Sequence, residues 1–298
     1  MKTLFIINPK AGFRKRPTRL IRRIRKTYQE LNLDFEIWIW KAPGDIDDML
    51  LKAKEEGFKA IIAVGGDGTV HAIGTRLIGT DIALGIVPSG SGNGYAAHLG
   101  YPKRQEDNIR QIPRLVPTRV DTGLICGIPF LNVCGIGIDA EVAYKFSSSK
   151  SRGLKSYIQH GSQVYFKYKG FPATLTVDDG EPIHLEKTMV IDVANGVYWG
   201  AGAKIAPHSS IVDGFMTAVF LETTTMVRAS NVLRQLFRGT LGRNKKVSMI
   251  NGKKFVIERD FAGRAQVDGD PVDELPSTIE ILVNEASLSV LVPRGESV

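Results

Sequence analysis

Three short stretches of this chain carry residue types that make poor core and good ligand contacts. Gly65-Gly66-Asp67-Gly68-Thr69 follows an apolar run at residues 60–64, and a helix-like stretch resumes at once. Asn8-Pro9-Lys10-Ala11-Gly12 follows the first apolar run, and Pro88-Ser89-Gly90-Ser91-Gly92-Asn93-Gly94 follows the fourth. Glycines at such places let backbone N–H groups approach a phosphate, and the helix that starts next adds the positive end of its dipole. The carboxylate among them, Asp67, suits a divalent cation held beside phosphoryl oxygens. One such loop is an ordinary tight turn. Three at the same sheet edge point to a nucleotide site.

The elements that must position these loops read as follows. Residues 3–7, 35–40, 60–64 and 83–87 are short, apolar and β-rich, and helical patterns separate them. Leu20, Ile21, Ile24, Tyr28 and Leu31 share one helical face, with Arg19, Arg22, Arg23 and Lys26 largely on the other. Repeated βα units with near-continuous apolar strands predict a parallel sheet covered by helices. Ligands of such sheets bind beyond the carboxyl ends of the strands, where all three loops fall. After about residue 120 the texture changes to short strands separated by turn residues, with one clear helix at residues 226–238. The expected organisation is an α/β nucleotide-binding domain over residues 1–120. An antiparallel β-sandwich domain over residues 121–298 follows it.

Bulk properties narrow the partners. The chain has 298 residues and 43% hydrophobic content, enough for a sizeable core. Its net charge of +8 is clustered. Residues 14–26 hold eight Lys or Arg and no acid, and residues 223–257 again hold eight and no acid. Runs of this kind suit an anionic membrane surface, and Leu233, Leu236 and Phe237 beside Arg234 and Arg238 resemble an interfacial element. No recognised nucleic-acid module accompanies the charge. Two cysteines, Cys126 and Cys134, give neither a disulfide framework nor metal-ligand spacing. The opening apolar run is too short for a signal peptide, so the expectation is a cytoplasmic protein, peripherally membrane-associated. No P-loop motif is present. The loop at residues 90–94 partly mimics a dinucleotide fingerprint, but Tyr95 breaks it, and no acid lies about twenty residues downstream to hold a ribose.

Together these stretches resemble the diacylglycerol kinase catalytic family, which includes bacterial lipid kinases, sphingosine kinases and ceramide kinase. Asn8 to Gly12 resembles its NPxxG loop, Gly65 to Thr69 its GGDGT signature, and Pro88 to Asn93 its PxGxxN loop. Gly135-Ile136-Gly137-Ile138-Asp139-Ala140 is similar to GxGxDA. Asn195-Gly196 with Asp213-Gly214, and Val267-Asp268-Gly269, resemble later motifs in the same order. The resemblance implies transfer of the ATP γ-phosphoryl group to a lipid hydroxyl, with Mg²⁺ as cofactor. It places Asn8, Gly12, Gly66, Thr69 and Ser91 on ATP, with Pro9, Gly65, Gly68, Gly90 and Asn93 in the same three loops. Asp67 would serve the phosphates and their magnesium. A second, structural magnesium would map to Ser210, Asp213 and the backbone of Phe215. The general base would be Asp270, supported by Asp139.

The chain departs from the family pattern in four places. The family's glutamate base is Asp270 here, one methylene shorter, which sets its oxygen back by about 1.5 Å. Gly94 stands where bacterial members have an aspartate. His71-Ala72 replaces an Asn-Glu, and Trp40 replaces a nucleotide-contacting threonine. Two other functions therefore stay open on sequence: an NAD kinase, which shares GGDG, and a catalytically weak lipid- or nucleotide-binding regulator. The sequence also leaves a homodimer open.

Overall fold

The computed structural model describes residues 1–11, 17–42, 44–147, 149, 154–165, 167–222 and 226–293. The chain divides into two compact units at Val120/Asp121.

The first unit alternates strand and helix: β1 (Thr3–Ile7), α1 (Pro17–Glu30), β2 (Phe35–Ile39), α2 (Asp45–Glu55), β3 (Ala60–Gly65), α3 (Asp67–Leu77), β4 (Ala83–Pro88), α4 (Gly94–His98) and α5 (Gln105–Gln111). β1 to β4 pair in parallel, in the order β4-β3-β1-β2. β1, β3 and β4 are buried throughout, as strands covered on both faces must be. β2 lies at the edge and is only partly buried. Trp38 on β2 packs edge-on against Phe58, with ring centroids 5.7 Å apart. α1 buries Leu20, Ile24 and Tyr28 and leaves Arg19, Arg22, Arg23 and Lys26 in solvent, as its spacing predicts, whereas Ile21 is half-buried and Leu31, just past the helix end, is exposed. The strand order runs one way from β1 to β2 and the other way from β1 to β3. The carboxyl ends of β1 and β3 therefore flank a topological switch point.

The second unit contains β5 (Val116–Ile125), β6 (Ile128–Phe130), β7 (Val133–Gly137), α6 (Ile138–Ser147), α7 (Leu154–Tyr165), β8 (Phe171–Val177), β9 (Ile183–Ala194), β10 (Tyr198–Gly200), β11 (Ala203–Lys204), β12 (Met216–Glu222), α8 (Met226–Arg238), β13 (Val247–Gly252), β14 (Lys254–Glu258), β15 (Gly263–Val267), β16 (Asp270–Leu275) and β17 (Thr278–Val292). β5 opens just before the division between the units. Its strand pairings are antiparallel, in the order β16-β15-β7-β9-β8-β14-β17, with β12 joining β9 to β13. Cys134, Ile136, Ile191, Val193, Phe255 and Ile281 belong to one fully buried cluster within it.

Two features differ from the sequence reading. Two helices, α6 and α7, precede α8; their apolar residues are too evenly mixed with polar ones to announce a helix against a background of short strands. Where short strands are expected, residues 278–292 form the single long strand β17. Its first half pairs with β14, whereas Val290 pairs in parallel with Leu84 of β4, and residues 286–293 cluster with the first unit. A local pattern identifies a strand but not its partner, and this pairing spans about two hundred residues.

Candidate functional site

The three glycine-containing loops of the first unit interlock. Asn8 N–H continues the β1 ladder by donating to the Val64 carbonyl at 3.1 Å. The Asn8 side chain accepts the Lys10 N–H at 3.0 Å and donates to Thr69 Oγ1 at 2.9 Å. Thr69 is buried, and it can turn toward Asn8 only because residue 65 is glycine: a Cβ there would overlap its hydroxyl. Gly65 carbonyl accepts the Ser89 N–H at 2.8 Å, which ties the second loop to the third.

Gly66 and Gly90 meet backbone to backbone. A Cβ on Gly90 would lie 2.7 Å from Gly66 Cα, and one on Gly66 would lie 3.1 Å from Gly90 Cα. Asn93, at φ 48°, closes the third loop by accepting the Gly90 N–H at 2.9 Å and donating to the Gly90 carbonyl at 2.8 Å. Asp67, in the first turn of α3, accepts the N–H of Asn93 at 2.6 Å and of Gly94 at 2.8 Å. The sequence offers Asp67 as a cation ligand; the structure adds that it pins the start of α4. An ionised carboxylate has about four lone-pair positions and is a hard oxygen donor of the kind that suits a divalent cation. Gly68 and Ser91 are exposed and Pro9 is half-buried. Gly12 lies outside the described residues. The result is a rim of glycine-backed turns at the switch point, with the start of the eleven-residue α3 at its centre, an arrangement suited to phosphoryl oxygens.

The candidate acidic residues of the second unit fall into three separate settings. Asp268 and Gly269, at φ 51° and 87°, form the two-residue turn between β15 and β16, and Asp270 is the exposed first residue of β16. The Asp268 carboxylate accepts the N–H groups of Leu131, Asn132 and Val133 at 2.9, 2.8 and 3.1 Å. Ser210, Asp213 and Phe215 share one loop. Asp213 Oδ1 accepts the Phe215 N–H at 3.0 Å, and Asp121 Oδ2 accepts the Gly214 N–H at 2.8 Å. Hydroxyl, carboxylate and carbonyl oxygens are hard donors that fit Mg²⁺, an ion that keeps several waters and needs few protein ligands. Among the described residues no three His, Cys, Asp or Glu side chains gather into a metal cluster.

Asp139 is buried in the first turn of α6, against Asp192 of β9 and the Gln266 side chain of β15. Burial pushes both carboxyls up from the ordinary range, and the neighbouring Asp139 raises Asp192 further. Burial, and then the nearby aspartates, raise the Cys134 thiol as well. Sequence reasoning missed Asp192 and Gln266. The one signal available was a lone charged residue inside the apolar stretch of β9.

Comparison with known proteins agrees with this arrangement. Residues 2–125 match the diacylglycerol kinase catalytic domain, and residues 132–292 match the YegS C-terminal NAD kinase beta sandwich-like domain. A diacylglycerol kinase of Mycobacterium tuberculosis is 28% identical over 268 residues, covering 84% of this chain and 83% of the relative. One from Bacillus subtilis is 24% identical, covering 98% and 96%. A crystal structure titled as a diacylglycerol kinase of Bacillus anthracis superposes with a TM-score of 0.74 at 21% identity, over 98% of this chain and 97% of that one, and shares the fold. With both domain matches in sequence order and the glycine loops assembled at the switch point, the chain belongs to the diacylglycerol kinase family of lipid kinases.

Proposed function

We propose that this kinase transfers the γ-phosphoryl group of ATP to the hydroxyl of a lipid alcohol of diacylglycerol or sphingoid type. The observation that carries the reading is the interlock of Asn8, Thr69, Gly66, Gly90, Asn93 and Asp67. It ties three glycine-containing turns to one another, and phosphoryl transfer depends chiefly on such positioning. Asn8 and Pro9 belong to one turn of the ATP site, and Gly12 follows them in sequence. Gly65, Gly66, Gly68 and Thr69 form the second, and Gly90, Ser91 and Asn93 the third.

In the transfer, the lipid oxygen forms a bond to the γ-phosphorus, the bond from that phosphorus to the β-phosphate oxygen breaks, and Asp270 takes the hydroxyl proton. Asp139 acts from within the protein rather than on the substrate, since it is buried. When bound, Mg²⁺ neutralises charge on the phosphates. Asp67 is the residue of the first unit that would hold it, and Ser210, Asp213 and the Phe215 carbonyl would hold a second ion.

A bilayer substrate calls for a lipid-facing surface. α8 buries Leu236 while exposing Leu233 and Phe237 next to exposed Arg234 and Arg238, a composition that favours peripheral contact with anionic membrane. Among the described residues no helix is long and apolar enough to cross a membrane. Incubation with γ-labelled ATP and, in parallel, diacylglycerol, a sphingoid base and NAD tests the reading. Label in a lipid phosphate supports it. Label appearing only in NADP overturns it.

A further inference from the structure

Strand pairing places Asp192, Gly135 and Gln266 in one row across β9, β7 and β15. Directly paired residues point to the same face of a sheet. Their neighbours along each strand, among them Ile136, Ile191 and Val267, turn into the apolar cluster. The row therefore lies on the opposite face, where α6 packs across β7, β9 and β15. Asp139 descends onto it from the first turn of that helix. Gly135 makes the meeting sterically feasible: a Cβ there would overlap Asp192 Oδ1 and lie 3.0 Å from Asp139 Oδ2.

Asp139, Asp192 and Gln266 are 1%, 1% and 2% exposed. Asp139 Oδ1 and Oδ2, Asp192 Oδ1 and Gln266 Nε2 are buried and lack a well-formed hydrogen-bond partner, and the Asp139 carboxyl lies beside the backbone N–H groups of its own turn as well as beside Asp192 and Gln266. Two buried carboxyls in contact cannot both ionise, so they share a proton. The Gln266 amide lies beside both carboxyls, so an ionised member is an acceptor within its reach. At its other end, Gln266 Oε1 accepts the Gly269 N–H at 2.9 Å. The titratable groups that interact with the pair are Tyr168 and, across the sheet, Cys134, which Asp268 also influences; Glu141 lies near Tyr168 and is paired to Arg264.

We propose that Asp192 and Gln266 are positioning residues: the Asp139–Asp192 pair anchors the Gln266 amide, and Gln266 fixes the Asp268-Gly269 turn that precedes Asp270. The Asp268 carboxylate pins the same turn from its other side, to residues 131–133. The inference rests on the reading of Asp270 as the proton acceptor of the kinase reaction.

Three variants test it: Gln266→Leu, Asp192→Asn and Asp192→Leu. Gln266→Leu removes the acceptor for Gly269 N–H. Its amide should exchange with deuterium more than about ten-fold faster, and kcat for lipid phosphorylation should fall by a similar factor while KM for ATP stays constant. Asp192→Asn supplies a permanent donor in place of the shared proton. It should keep kcat within about three-fold and change the pH profile, whereas Asp192→Leu should behave like Gln266→Leu. Wild-type Gly269 exchange in Gln266→Leu overturns the inference. So does equal damage from Asp192→Asn and Asp192→Leu. A wild-type protein that labels no lipid alcohol overturns the kinase reading instead; the Gly269 exchange rate needs no substrate and still decides whether Gln266 holds the turn.

Discussion

Gly90→Ala tests the loop interlock with the least ambiguity. The added Cβ would lie 2.7 Å from Gly66 Cα and 3.0 Å from Asn93 Oδ1. Ordinary contact begins at 3.4 Å, so the two loops must part by about 0.7 Å. The obstacle at Gly66 is backbone and cannot rotate away, and Asn93 is bonded to both the N–H and the carbonyl of residue 90. Overpacking of this kind costs about 1–3 kcal/mol. The larger effect falls on function, because displacing a positioning group by about 1 Å lowers rate by roughly 10²-fold. The expected result is a loss of about two orders of magnitude in kcat/KM for ATP, with an unfolding temperature only a few degrees lower. ATP titration of lipid phosphorylation and a thermal scan measure both. A variant with wild-type kcat/KM and wild-type unfolding temperature would refute the claim that Gly66 and Gly90 must touch.

Further predictions follow from the same contacts. Asp67→Asn turns a donor toward the N–H of Asn93 or Gly94, at a cost of about 1–3 kcal/mol; it should abolish turnover, and the Asn93 and Gly94 amide resonances should move while the remainder of the spectrum is retained. Gly135→Ala forces Asp192 away from Asp139 and should destabilise the protein by more than about 3 kcal/mol in denaturant titration, with a wild-type midpoint counting against the packing described. Asp192 and Asp139 are raised in the folded state, so between the ordinary carboxylate range and the raised value the native protein binds more protons than the unfolded chain. Stability is then full at low pH and declines as pH rises through that window, by at most about 1.4 kcal/mol per pH unit for one proton. Asp192→Asn removes that slope, so its unfolding temperature relative to wild type should climb between pH 4.5 and pH 8; a difference independent of pH would contradict a shared proton.

The parts of this protein legible in its sequence are those where backbone geometry demands a particular residue. Gly65, Gly66, Gly90 and Asn93 are visible because close approach or a left-handed conformation tolerates few alternatives. The apolar runs of β1, β3 and β4 are visible because a parallel sheet buries both faces. Asp192 and Gln266 are not, since their meaning depends on register: only the pairing of β7 with both β9 and β15 shows that they share a row with Gly135. The parallel pairing of Val290 with Leu84 is hidden for the same reason. Asp139 is visible through its motif, but its partners are not: the register alone reveals that it is buried in the first turn of α6 against Asp192 and Gln266.

The central claim is that the turns after β1, β3 and β4 form one phosphate-binding surface. A crystal structure of the protein with Mg²⁺ and a non-hydrolysable ATP analogue measures this directly. The account predicts phosphate oxygens within hydrogen-bonding distance of backbone N–H groups in both the 65–69 and the 90–94 loops, with Asn8 still bonded to Thr69. An analogue bound elsewhere, with these loops unchanged and untouched, would contradict it.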